Sequence, residues 1–153
     1  MKITDFLSED TIIMNLNANN KRLAIIELLN ILKTTKKLEP IEPLVNIILN
    51  REKLSSTGIG QGIAIPHGKI NTLNKQIGIL GISHNGIDFN SLDGELVNII
   101  FLLIGPTNDI SQHLKALSKI SWLLKEKDTR QAIVKAKTCC DILNIINQRD
   151  LII

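Results

Sequence analysis

The stretch Val97–Ile104, VNIIFLLI, is almost unbroken Ile, Leu and Phe, and Gly105-Pro106 is expected to stop it. It falls far short of the roughly 20 apolar residues that a membrane span needs. A run of this kind suits a central strand covered on both faces. Such a strand needs helices above and below its sheet, so the chain is expected to fold as a layered α/β domain.

The flanking segments can supply those layers. Asn19 or Asn20 is placed to cap a helix from about Lys21 to Lys33, whose Ile25, Leu28, Leu29 and Leu32 make one apolar face. Glu39-Pro40 ends that connection. A second helix fits Ile41–Arg51, with Ile41, Leu44, Val45, Ile48 and Leu49 on one side and Arg51 in the last turn, pointing towards the glycine-rich loop that follows. Short strands are expected at Thr11–Leu16, at Ile63–Ile65 and at Ile77–Ser83, and Asn85-Gly86 signals a tight turn. After the central strand come three helices. The first covers about Ser111–Lys125. The second opens on Asp128 with Gln131 three residues on, and the third opens on Thr138 with Asp141 in the same relation. Strand order is not legible from this pattern.

The 153 residues suit a single domain spanning 1–153, and 44% of them are hydrophobic, a globular level. Aromatics are only 3%, so the core must be built from Ile and Leu. A net charge of +3, with no run of five basic residues and no interleaved aromatics, gives no reason to expect nucleic acid as a partner. The adjacent Cys139 and Cys140 read as free thiols in a reducing compartment. The opening MKITDFLSED lacks the apolar core of a signal peptide. Together these features predict a cytoplasmic protein without membrane insertion.

Chemistry concentrates in Thr57–Lys69, TGIGQGIAIPHGK. A dinucleotide fingerprint needs a strand before its glycines and a helix after them; here a helix precedes and a strand follows. There is no P-loop either. The glycines instead permit left-handed backbone angles and close approach of chain segments. Pro66 restricts Ile65 to extended geometry and fixes its own φ, so His67 sits at the end of a strand on a stiff support. Gly68 puts no side chain beside it, leaving the ring open to a bulky group. By itself this pattern fits a turn histidine as well as a reactive one. His84, by the expected turn, reads as a solvated loop residue. His113 lies in the first turn of its helix on the face of Leu117, Ile120 and Leu124, as a residue at the edge of the core or of a site. No HExxH or paired-Cys spacing supports a metal, and no G-x-S-x-G supports a serine hydrolase. Neither metal nor cofactor is expected.

The block Arg51–Lys69, REKLSSTGIGQGIAIPHGK, closely resembles the active-site region of the fructose/mannitol-type enzyme IIA domains of the phosphoenolpyruvate-dependent phosphotransferase system, with the nitrogen-regulatory branch the most similar. Gln112-His113-Leu114-Lys-Ala-Leu117 looks like that family's second-histidine helix. The resemblance runs over nearly the whole chain. It implies a mixed sheet flanked by helices on both faces, and a histidine that accepts a phosphoryl group from a histidine phosphocarrier protein. His67 matches the phosphorylated residue, with Nε2 the attacking atom. His113 matches the second active-site histidine and Arg51 the active-site arginine. Thr57 falls on the loop around the site; the hydroxyls of Ser55, Ser56 and Thr57 are candidate phosphate ligands, with Gly68 as support. Lys69 steers an acidic partner surface or simply solvates the loop.

Three functions fit this reading. A regulatory phosphocarrier would use its phosphorylation state to control other proteins, and the resemblance suggests potassium transport components, sensor kinases and nitrogen-linked regulation. A sugar-specific IIA would pass phosphate to a IIB domain of a fructose- or mannitol-type transporter. A pure binding module would never turn phosphate over, a reading that the presence of both His67 and Arg51 disfavours.

Overall fold

The computed structural model describes residues 1–36 and 38–151. In chain order they form β1 (Ile12–Ile13), α1 (Lys21–Thr35), α2 (Glu42–Leu54), β2 (Gly58–Gly60), β3 (Ile63–Ala64), β4 (His67–Ile70), β5 (Ile77–Ile87), β6 (Val97–Pro106), α3 (Ile110–Lys125), α4 (Lys127–Lys135) and α5 (Cys139–Asp150). Two short 3-10 turns, Ile3–Asp5 and Glu9–Thr11, precede β1.

The apolar run at the end of the sheet's central hairpin is its axis. The strand order is β1-β5-β6-β3-β2, with β4 also paired to β6. β5 runs antiparallel to β6, whereas β3 and β4 run parallel to it one after the other. The sheet is therefore mixed, as expected. Successive side chains of a strand point to opposite faces, and β6 divides accordingly. Ile100, Leu102 and Ile104 join the core beneath α1 and α2, while Ile99, Phe101 and Leu103 join the core with α3, α4 and α5. Each such side chain taken wholly from water contributes roughly 1.5–3 kcal/mol. The run contains no charged residue, which would be costly to bury there without a partner.

Two helices, α1 and α5, start where the expected caps place them. Asn20 Oδ1 accepts from Leu23 N at 2.9 Å, and Thr138 Oγ1 accepts from Asp141 N at 3.0 Å. Asp109 caps α3 by accepting from Gln112 N at 3.2 Å.

Four local expectations are corrected. Asn85-Gly86 is not a hairpin turn: β5 continues to Ile87, its register with β6 shifting between Ile82 and Ile87. Gly86 takes φ +83° there, and its N–H donates to Ser83 Oγ at 3.1 Å. Buried Ile87 and Phe89 draw the chain onward, and the reversal runs through 88–96. Gly105-Pro106 does not stop the central strand, which stays paired to Pro106 opposite Ile70, a strand end where no further N–H is needed. Asp128 does not cap α4, which follows Glu126 with no side-chain cap. Asp128 lies within the first turn, where a negative charge suits the helix dipole. His67 does not end a strand; it begins β4.

Candidate functional site

Register decides which way the motif faces. His67 pairs with Leu103 of β6 and Gly68 with Ile104. Leu103 belongs to the α3 side and Ile104 to the α2 side, so the His67 ring is turned towards α3 and Gly68 towards α2. A Cβ at Gly68 would lie 2.7 Å from Ile47 Cγ2 and 3.1 Å from Ile48 Cδ1. The missing side chain therefore lets α2 pack on β4; the space expected to open beside the ring is filled by a helix.

The glycines upstream serve backbone geometry. Gly60 and Gly62 have φ of +94° and +80°, with Gln61 at +60° between them. They turn β2 back onto β3, and the Gln61 N–H is tied to Asp93 Oδ2 at 2.9 Å. Ile65 N then reaches back to Thr57 O at 3.0 Å, and Pro66 O accepts from Leu103 N at 2.9 Å. The Ile65 carbonyl is left for a side chain. His67 Nδ1 lies 2.9 Å from it. A carbonyl only accepts, so Nδ1 carries the proton and Nε2 keeps its lone pair.

His113 comes from the first turn of α3, with its N–H bonded to Asp109 O at 3.3 Å. Its ring centre is 5.9 Å from that of His67, with planes inclined at 54°. It is buried, and its Nδ1 lies 2.8 Å from Gln76 Oε1. Desolvation is the main force lowering the His67 pKa, aided by the cations of Arg51 and Lys69 and opposed by the Ile65 hydrogen bond and Glu52. His113 is pushed down to about 4 by desolvation, then by the charges of His67 and Lys69. Both imidazoles are neutral near pH 7.

Arg51, half-buried in the last turn of α2, donates from Nη1 to Ser55 O at 3.1 Å and lies 3.4 Å from Ser55 Oγ. Its guanidinium keeps further N–H groups for a ligand. The two other hydroxyls of the loop are engaged. Ser56 Oγ donates to Phe89 O and accepts from Gly58 N at 3.0 Å, and Thr57 Oγ1 donates to Glu52. Lys69 and His84 are exposed, with His84 in β5 rather than in a loop.

Sequence reasoning passed over Glu52. It is buried, accepts from Thr57 N at 3.2 Å and from its hydroxyl, and holds Lys21 Nζ at 3.1 Å. Lys21 in turn lies 5.2 Å above the Phe89 ring. The signal was available: Glu52 falls four residues after Ile48 on the apolar stripe of α2, where an unpaired charge would be costly. Gln76 left no comparable sign. Among the described residues, no group of three or more His, Cys, Asp and Glu gathers as a metal cluster, and no helix is long and apolar enough to cross a membrane.

The family model described as phosphoenolpyruvate-dependent sugar phosphotransferase system, EIIA 2, matches residues 5–149. A mixed sheet between two helical layers is thus the framework of a IIA-type phosphocarrier domain. The chain belongs to the EIIA type-2 family of the phosphotransferase system. It is 35% identical over 147 residues to a nitrogen regulatory protein of Bradyrhizobium diazoefficiens, covering 95% of both chains. It is 38% identical over 150 residues to the fructose-specific EIIABC component of Bacillus subtilis, covering 98% of this chain but only 24% of that longer protein. The crystal structure of nitrogen regulatory protein IIA-Ntr from Neisseria meningitidis superposes with a TM-score of 0.88 at 28% identity, over 94% of this chain and 98% of that one. IIA mannitol from Escherichia coli shares the fold, with a TM-score of 0.77 at 20% identity, covering 92% of this chain and 98% of its own.

Proposed function

We propose that the chain, acting as one unit over residues 1–153 in the cytoplasm, is a regulatory phosphocarrier that accepts a phosphoryl group on His67 Nε2 from a histidine phosphocarrier protein. The observation that carries this reading is the Nδ1 contact to Ile65 O, which leaves Nε2 unprotonated beside His113. In the transfer, the Nε2 lone pair forms an N–P bond while the donor's N–P bond breaks and its electron pair returns to the donor imidazole. Phosphoryl transfer needs mainly alignment and charge stabilisation. Arg51 supplies a permanent cation with a fork suited to two phosphoryl oxygens. Thr57 and Ser56 act behind it, holding the loop through Glu52 and Phe89 rather than offering hydroxyl donors.

A phosphoryl group adds about −1.5 to −2 charge, enough to change docking of a partner. Potassium transport components and sensor kinases are the partners we infer for the regulatory role. The similarity to the fructose-specific component favours a second reading, in which phosphate passes on to a IIB domain for sugar uptake.

Incubation with phosphoenolpyruvate, enzyme I and the phosphocarrier protein, followed by mass mapping at neutral or alkaline pH, tests the site. Phosphate is expected on His67 and absent in His67→Ala. An unchanged acid-labile phosphate in that variant rejects the assignment. Rapid discharge to a fructose-type IIB would select the sugar reading over the regulatory one.

A further inference from the structure

Gln76 belongs to none of the motifs that single out the site. It immediately precedes β5, where the pairing of Ile77 with Ile104 sets it beside Gly105 of β6. Its side chain is almost wholly buried, with 6% of the residue exposed. A Cβ at position 105 would overlap the Gln76 amide, so glycine is what lets that amide lie against the strand. From there Oε1 reaches His113 Nδ1 at 2.8 Å. Two buried nitrogens remain without partners, His113 Nε2 and Gln76 Nε2. An amide oxygen accepts and never donates. The proton of the neutral His113 ring therefore sits on Nδ1, and Nε2 carries a lone pair.

We propose that Gln76 is a positioning residue that, seated on Gly105, fixes the His113 ring in its Nδ1–H tautomer and leaves Nε2 as the free, proton-accepting nitrogen beside His67. What that nitrogen is for rests on the phosphocarrier reading above. A phosphoryl dianion on His67 draws a proton from water onto His113 Nε2. The imidazolium then donates from Nε2 to a phosphoryl oxygen and from Nδ1 to Gln76 Oε1. When the phosphoryl group leaves, the proton returns to water. Gln76 thus serves both charge states without moving, because its oxygen accepts from Nδ1–H in each. The charged groups acting on this ring are His67 and Lys69, while Arg51 and Glu52 act on His67.

The test is a long-range proton–nitrogen NMR correlation on the ¹⁵N-labelled full chain near neutral pH, with transfer rates measured in parallel. His113 is expected to show a protonated Nδ1 and an unprotonated Nε2. In Gln76→Met, of similar shape without the oxygen, the two tautomers should mix while the signals of other residues hold, and phosphorylation of His67 should slow by about tenfold or more. Gln76→Glu keeps an oxygen on Nδ1, so the Nδ1 proton should persist, and the added charge should raise the His113 pKa. A native His113 protonated on Nε2, or a tautomer unmoved by Gln76→Met, overturns the proposal. Should Gln76→Met fail to fold, an unshifted His113 pKa in Gln76→Glu overturns it equally. If the tautomer follows Gln76 but no form of the chain accepts phosphate, the phosphocarrier reading fails and the positioning role stands.

Discussion

The His67 and His113 rings lie with centres 5.9 Å apart and planes inclined at 54°, one carried by an edge strand and the other by the first turn of α3. Each has its Nδ1 engaged, by Ile65 O and Gln76 Oε1 respectively. Each neutral ring therefore carries its proton on Nδ1 and a lone pair on Nε2.

The pKa directions predict how pH acts on this pair. Because the folded His67 titrates below its ordinary 6.5, its nucleophilic form persists at mildly acidic pH. The rate of phosphoryl acceptance should be flat near pH 7 and should fall only below pH 6.5 as the ring protonates. Stability should follow His113, lowered to about 4. Between pH 6.5 and 4 the unfolded chain binds the extra proton, so stability rises with pH across that window and is lost on acidification. Urea unfolding at stepped pH should show this slope, reduced in His113→Asn.

Arg51 and a lysine at the same place are not equivalent, because only the guanidinium offers a planar fork. Arg51→Lys should keep the fold and slow phosphorylation of His67 by about tenfold, and Arg51→Ala by about a hundredfold or more. Single-turnover transfer from the phosphorylated carrier is the measurement.

Glu52 holds the loop from below. Glu52→Ala strands the Thr57 N–H and hydroxyl and removes the partner of Lys21. We expect a loss of about 2–3 kcal/mol in denaturant unfolding, since a buried donor left without its charged acceptor forfeits about that much. Transfer should slow as well, through a displaced loop. Unchanged stability would show that the network contributes nothing to folding.

Gly68→Ala should destabilise the chain by about 1–3 kcal/mol, as overpacking does. The added methyl meets Ile47 and Ile48 and forces α2 away from β4. A compensating Ile48→Val, which removes the Cδ1 that the added methyl meets, or Ile47→Ala, which removes the Cγ2, should restore part of the loss in a double-mutant cycle, which an effect confined to phosphate access would not allow.

Much of this layout was legible beforehand because it rests on local rules. The helices under Ile25, Leu28, Leu29 and Leu32, and the cap by Thr138, follow from periodicity and capping chemistry alone. Misreadings arose where tertiary burial overrode a local signal. Asn85-Gly86 has the composition of a turn, yet Ile87 and Phe89 beyond it are core residues and carry the strand through. Gly68 looked like an opening because the sequence does not say which face of a strand a missing side chain would have occupied.

The sequence by itself determined the apolar central strand, the helical layers it requires and the stiff Ile65-Pro66-His67 presentation, since each depends on residues adjacent in the chain. Only the tertiary structure decided that His67 faces α3 while Gly68 faces α2, and that Gln76 reaches His113 across Gly105. Those relations depend on strand register and on groups distant in sequence. A shift of one residue would turn every side chain of β4 to the other face. Without that register, a histidine between a proline and a glycine remains a turn; with it, the ring is held beside a second one, with its Nε2 unprotonated.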